Sequence, residues 1–135
     1  MELKEQKCEA CQVGAPKVSP EERKELLSQI EGWTIITETK ETTEKFNNTG
    51  AVKSVTKHVV DKLFKVYGFN KYSEAVKFTN EVAALAETEG HHPTISLEWG
   101  EVGIWWWTHK IEGLHKNDFI CASKTDEIRE KYKNF

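Results

Sequence analysis

From residue 19 onward the spacing of apolar positions switches repeatedly between that of a helix and that of a strand. Leu26, Leu27 and Ile30 recur at three- and four-residue intervals behind Ser19-Pro20-Glu21-Glu22. There Ser19 suits a helix cap, Pro20 the first helical position, and Glu22 the far side of a capping box. A helix is predicted from Pro20 to about Glu31, ended by Gly32. Trp33 to Thr37 is β-branched and aromatic and reads as a strand. In Leu63 to Phe69 the odd positions share one face and Phe64 and Val66 the other, as in a second strand. Asn70 to Thr88 carries a broad apolar face at helical spacing, with Asn70 or Ser73 as candidate caps and Gly90 as the stop. Thr94 to Trp99 and Val102 to Lys110 alternate around Gly100, which predicts a hairpin whose second strand ends beyond His109. A last helix is predicted from a cap at Asn117 or Asp118 to about Tyr132, with Phe119, Ile120, Ala122 and Ile128 inward.

The resulting order is α-β-β-α-β-β-α. It predicts an α+β fold: a four-stranded antiparallel sheet with three helices packed on one face. Two segments stand outside the pattern. Residues 1–18 read as a polar N-terminal arm, and residues 19–135 as a single domain. About 38–60 is charged and Thr-rich, with scattered valines and a turn signal at Asn47-Asn48-Thr49-Gly50. It reads as an insertion between two strands that a short hairpin would otherwise join, as a strand extension or as an irregular excursion.

Composition narrows the class. A chain of 135 residues with 30% charged and 38% hydrophobic residues buries enough surface to fold as one domain without a metal or disulfides. The net charge of −3 speaks against nucleic acid or an anionic membrane as partner. The sparse basic group Lys53, Lys57, His58, Lys62 and Lys65 reads as a solvated face. No apolar run is long enough to span a bilayer, and MELKEQKCEAC lacks a signal-peptide core, so a cytoplasmic location is expected. Three cysteines make a poor disulfide framework. Cys8 and Cys11 form a CxxC, but there is no second CxxC for structural zinc and no preceding strand for a redox motif.

The candidate chemistry is concentrated between Glu87 and Asp118. Four of the five histidines (His91, His92, His109, His115) and four of the five tryptophans (Trp99, Trp105, Trp106, Trp107) fall there. His91 and His92 follow the end of a helix and precede Pro93, which holds the exit extended. Glu87 lies in its last turn, and Glu87 or Glu89 is a neighbouring carboxylate that favours the charged imidazole. His109, flanked by Thr108, falls at a predicted strand end, and Asp118 at a predicted helix start. Helix ends and strand ends meet at a sheet edge, so these residues can converge on one cleft. Histidine exchanges protons near neutral pH, and a carboxylate fixes its tautomer. A zinc site on His91, His92 and His109 lacks HExxH or HxH spacing, so no metal is expected. His58 and His115 read as surface or core positions outside the chemistry, and the tryptophans as scaffold on both sides of the sheet.

Glu87-x-x-x-His91-His92-Pro93, Trp99, Thr108-His109 and Asp118, together with EGHHP, EWG and GLHKNDF, resemble the signature of the pterin-4a-carbinolamine dehydratases, bacterial type. The resemblance runs from Ser19 to about Tyr132, and the arm KCEAC to APKVS is also similar to bacterial members. The segment between Trp33 and Leu63 departs from it in being longer. The resemblance implies a hydro-lyase that converts 4a-hydroxytetrahydropterin into quinonoid dihydropterin and water, in recycling of the pterin used by aromatic amino acid hydroxylases. It implies His91 and His109 as the acid/base pair, with His92 binding or orienting the substrate. Asp118 would hold a histidine tautomer, with Glu87 and Thr108 in support. Two histidines on either side of a flat heterocycle need no metal or cofactor for this elimination. The resemblance also implies a homodimer or homotetramer. A competing expectation is a protein-binding module of the same fold that partners a transcription factor.

Overall fold

The computed structural model describes residues 2–9, 15–47 and 49–132. The elements in order are α1 (Pro20–Leu27), β1 (Thr34–Lys45), β2 (Val52–Gly68), α2 (Tyr72–Glu89), β3 (Thr94–Glu98), β4 (Glu101–Trp106) and α3 (Lys116–Arg129). Single 3-10 turns lie at Leu3–Glu5, His109–Ile111 and Glu130–Tyr132. The strands form one antiparallel sheet in the order β1-β2-β4-β3. The α-β-β-α-β-β-α order and the sheet with its helices on one face are those expected from the sequence.

The covered face follows the alternation. Leu63 pairs with Trp106, and Tyr67 with Val102. Ile95 pairs with Ile104, and Leu97 with Val102. Residues paired in this way point to the same side of the sheet. Together with Phe78, Val82 and Ala86 of α2 and Phe119, Ile120 and Ala122 of α3 they form the core. Lys65 shares that face yet remains soluble by reaching outward. Its Nζ donates to Asp126 of α3 at 2.8 Å. Asp126 also accepts from Tyr67 Oη at 2.5 Å and Trp33 Nε1 at 3.0 Å, tying α3 to the sheet. Burial and this carboxylate push the Tyr67 phenol well above its ordinary value. The open face carries Phe64 stacked on Trp105, with ring centroids 4.5 Å apart. Gly103 leaves room for that stack, since a Cβ there would meet the Trp105 ring at 3.1 Å.

Several boundaries differ from the sequence expectation. α1 stops at Leu27, because Gln29 N–H and Ile30 N–H turn back to Leu26 and Leu27 in a tighter last turn. Ile30 is nonetheless buried, and Gly32 (φ 86°) turns the chain so that Trp33 enters the core. Residues 38–60 extend the hairpin: β1 and β2 stay paired from Thr34↔Phe64 out to Glu44↔Ser54. Cross-strand ion pairs, Glu38 with Lys62 at 2.6 Å and Glu44 with Lys53 at 3.6 Å, line this ribbon. Its strands mix charge with Thr and Val without a regular period because both ribbon faces meet solvent, which hid the strands. Of the predicted turn, Asn48 lies outside the described residues. The N-cap position of α2 falls at Lys71 instead of Asn70 or Ser73.

Candidate active site

Each site residue is placed by how its element ends. α2 ends on Gly90 in the left-handed conformation (φ 64°), and His91 N–H donates to Ala86 O at 3.1 Å. This closing pattern aims the chain back across the helix end. His91 therefore enters the core edge, only 9% exposed, with its ring stacked on Trp106 at 5.5 Å. His92, next in the chain, points to the exposed side, where its Nε2 lies 2.8 Å from Glu87 Oε1. Glu87 thus orients His92.

β4 was expected to continue past His109; it stops at Trp106. Thr108 and Gly113 instead pinch together, with Thr108 N–H donating to Gly113 O at 2.8 Å. The pinch closes a small loop in which His109–Ile111 is one turn of 3-10 helix. Glu112 closes that turn at φ 48°, the one non-glycine with positive φ among the described residues. His109 stacks on Trp107 at 4.2 Å, and Lys62 Nζ lies 4.0 Å over the Trp107 ring. So Trp106 backs His91 and Trp107 backs His109, and the adjacent tryptophans hold the two imidazoles.

The cap of α3 was expected at Asn117 or Asp118; it is His115. The His115 Nδ1 accepts from Asn117 N–H at 3.0 Å, and Asp118 Oδ2 accepts from His115 N–H at 2.9 Å. Asp118 is fully buried. Its Oδ2 also accepts from Thr108 Oγ1 at 2.8 Å, and its Oδ1 lies 2.6 Å from His91 Nε2. A buried carboxylate accepting from a backbone N–H and a hydroxyl remains an acceptor toward His91. An ionised Asp118 can only accept, so it selects the His91 tautomer with the proton on Nε2 and leaves Nδ1 as the position open to exchange. The same carboxylate gives any positive charge on His91 a partner at 2.6 Å, without which a buried imidazolium is costly.

His91, His92, Thr108 and His109 line one cavity of about 520 Å³. Its wall also includes Gly90, Glu89, Lys110 and Asn117, and from the N-terminal arm Cys8 and Glu9. His109 also borders a second hollow under the ribbon, with Lys62 and Trp107. His109 is itself exposed, but partial desolvation against these neighbours pulls its imidazole below the ordinary value of 6.5. The nearby His92 backbone and the charge of Asp118 oppose that shift, while His91 and Lys62 add to it. His109 is thereby weighted toward the neutral, proton-accepting form.

The structure thus gathers His91, His92, His109 and Thr108 around one cavity, with Asp118 buried behind His91 and Thr108 and Glu87 behind His92. Trp99 is not among them: it lies at the β3–β4 turn, 78% exposed. Cys8, Glu9, Glu89 and Asn117 were not anticipated as wall residues. The arm shows no periodicity, and Asn117 read as a possible cap. Cys8 Sγ lies 3.4 Å from Cys121 Sγ, and both thiols are free. Cys11 lies outside the described residues. Among the described residues no group of three His, Cys, Asp or Glu side chains is placed to hold a metal, and no helix is long and apolar enough to cross a membrane.

The sequence and fold match known proteins. The family model described as Pterin 4 alpha carbinolamine dehydratase matches residues 16–128. A protein of Syntrophotalea carbinolica named "Putative pterin-4-alpha-carbinolamine dehydratase" is 47% identical over 128 residues, covering 95% of this chain and 97% of its own. A protein of the same name from Vibrio vulnificus is 43% identical over 126 residues, with 93% and 97% covered. A crystal structure from Brucella melitensis, described as a transcriptional coactivator/pterin dehydratase, superposes with a TM-score of 0.62. It is 21% identical and covers 84% of this chain and 98% of its own, a likeness of fold.

Proposed function

The chain belongs to the pterin-4-alpha-carbinolamine dehydratase family, and from that premise we propose that it removes water from 4a-hydroxytetrahydropterin to give quinonoid dihydropterin. The observation that carries this reading is the pairing of two unlike imidazoles on one cavity. His91 is buried and bonded to a carboxylate, while His109 is shifted toward its neutral form. The elimination asks for that difference. The C4a–O bond breaks as the departing hydroxyl takes a proton and leaves as water. The N5–H proton is removed, and its electron pair forms the C4a=N5 bond. We assign His109 as the base and His91, with its counter-charge in Asp118, as the acid. His92, oriented by Glu87, binds the substrate from the exposed side. Thr108 holds the second oxygen of Asp118 and so fixes its angle to His91. The cavity volume suits one bicyclic heterocycle. The role inferred is recycling of the pterin cofactor of aromatic amino acid hydroxylases.

The test is accelerated loss of the carbinolamine, followed in the ultraviolet with purified, chelator-treated protein. His91→Ala with His109→Ala should abolish the acceleration without lowering the helix signal in circular dichroism. A double variant as active as wild type overturns the assignment. The name of the Brucella protein joins the enzyme to a coactivator, which supplies the second reading, a protein-binding module. Capture of a partner that survives loss of both histidines, with no dehydration by the wild type, favours that reading. We also infer self-association as a homodimer or homotetramer, supported by the edge strand β1 and by exposed Phe46, Val52, Val55 and Val59 on the ribbon. Light scattering that returns a monomer refutes it.

A further inference from the structure

The described residues 3–9 of the segment that precedes α1 are docked against the site through polar groups at defined points. Leu3 is buried in the core, on the α3 side. Cys8 N–H donates to Glu89 Oε1 at 3.0 Å. Asn117 is 2% exposed and spends its amide on the arm: its Oδ1 accepts from Glu9 N–H at 2.9 Å, and its Nδ2 donates to Glu9 O at 2.7 Å. A side-chain amide bound to both the N–H and the C=O of one residue fixes that residue as a strand partner would. Asn117 precedes Asp118, the carboxylate on His91, so the pinned residue is set in register with the catalytic histidine. Glu9 lines the cavity, and its carboxylate has no hydrogen bond or ion pair to a described residue.

We propose that Cys8 and Glu9 complete the substrate cavity and that Glu9 is a specificity residue, held by Asn117, whose carboxylate takes the paired donors on one edge of a flat amino-heterocycle. This rests on the reading above. The pyrimidine half of a pterin presents a ring N–H beside an exocyclic amino group. Two parallel donors match the two oxygens of one carboxylate, the geometry by which guanidinium and carboxylate pair. The other polar side chains of the wall are unsuited or engaged. Lys110 is a donor. The Thr108 hydroxyl is given to Asp118, and the Asn117 amide is used by the Glu9 backbone. Of the two wall carboxylates, Glu89 gives one oxygen to Cys8 N–H, and Glu9 is the one with both oxygens available as a pair.

The experiment uses the full chain with Glu9→Gln, Glu9→Asp and Asn117→Ala. Initial dehydration rates across substrate concentration give kcat and KM, and fluorescence titration gives the affinity for 7,8-dihydropterin and for its analogue lacking the 2-amino group. Glu9→Gln is expected to raise KM about tenfold with kcat within about twofold. It should weaken dihydropterin binding by the same factor and leave the analogue unchanged. Glu9→Asp should restore part of the loss, and Asn117→Ala should reproduce the KM effect by releasing the arm. Should Asn117→Ala fail to fold, the exposed Glu9 side chain still carries the test. A Glu9→Gln variant whose KM and dihydropterin affinity equal those of wild type overturns the inference. A wild-type protein that gives no acceleration overturns the dehydratase reading instead.

Discussion

Asp118 separates the structural from the chemical role of one buried carboxylate. It accepts from His91 Nε2 at 2.6 Å, Thr108 Oγ1 at 2.8 Å and His115 N–H at 2.9 Å, at zero exposure. In Asp118→Ala all three donors lose their acceptor inside the protein. Hydrogen bonds to a buried charge are worth about 1.5–3 kcal/mol each and are not additive, so we expect a loss of about 3–5 kcal/mol. For a domain of this size that lowers Tm by about 10–20 °C. Asp118→Asn behaves differently. Its single oxygen has two lone pairs and can replace Oδ2, keeping both the Thr108 and His115 bonds. Its NH₂ then replaces Oδ1 and faces His91 as a donor. His91 must accept there, and its proton moves to Nδ1, away from the tautomer the wild type holds. Stability should change by about 1 kcal/mol or less, while kcat falls by about 10²–10⁴. Thermal melts, the dehydration assay and ¹⁵N shifts of the His91 ring measure the three quantities. An Asp118→Asn protein with wild-type kcat, or an Asp118→Ala protein with wild-type Tm, refutes the reasoning.

Two further predictions concern pH and the scaffold. His109 is held below 6.5, and a base works only when unprotonated, so the acidic limb of kcat/KM should fall below pH 6.5 and match the midpoint of the His109 ring in an NMR titration; a midpoint above 6.5 contradicts the assignment. Asp126→Ala removes the acceptor of Tyr67, Trp33 and Lys65; because Asp126 keeps 28% exposure, the expected loss is about 2–3 kcal/mol, read as a lower urea midpoint with activity at 25 °C retained, and an unshifted midpoint counts against the network.

The fold was legible wherever one side of an element is buried and the other wet. β3 and the inner end of β2 alternate because one face packs on helices, and α2 shows its stripe for the same reason. The outer hairpin failed that reading. With both faces in solvent, nothing forces a period of two onto Thr39 to Val59, and what holds the strands is backbone pairing plus charges opposite each other, such as Glu38 and Lys62. The early end of β4 was equally invisible. Trp107, Thr108 and His109 continue the alternation in sequence, but the chain turns to bond Thr108 to Gly113, five residues ahead. Only the partner across the pinch reveals it.

The site divides along the same line. Residues whose position follows from a helix or strand end could be named from spacing: His91 after Gly90, and Asp118 in the first turn of α3. What spacing cannot carry is which imidazole meets which carboxylate. The closing turn at Gly90 sends His91 inward to Asp118 and leaves His92 outside with Glu87, a choice made by one residue in the left-handed region. His115 shows the reverse case. Set aside as lying outside the chemistry, it is the cap whose N–H holds Asp118 Oδ2 and so aims Oδ1 at His91. The cap of α3 and the proton chemistry of His91 therefore share one carboxylate. A change at His115 that spoils the cap should reach the histidine through Asp118, although His115 does not line the cavity.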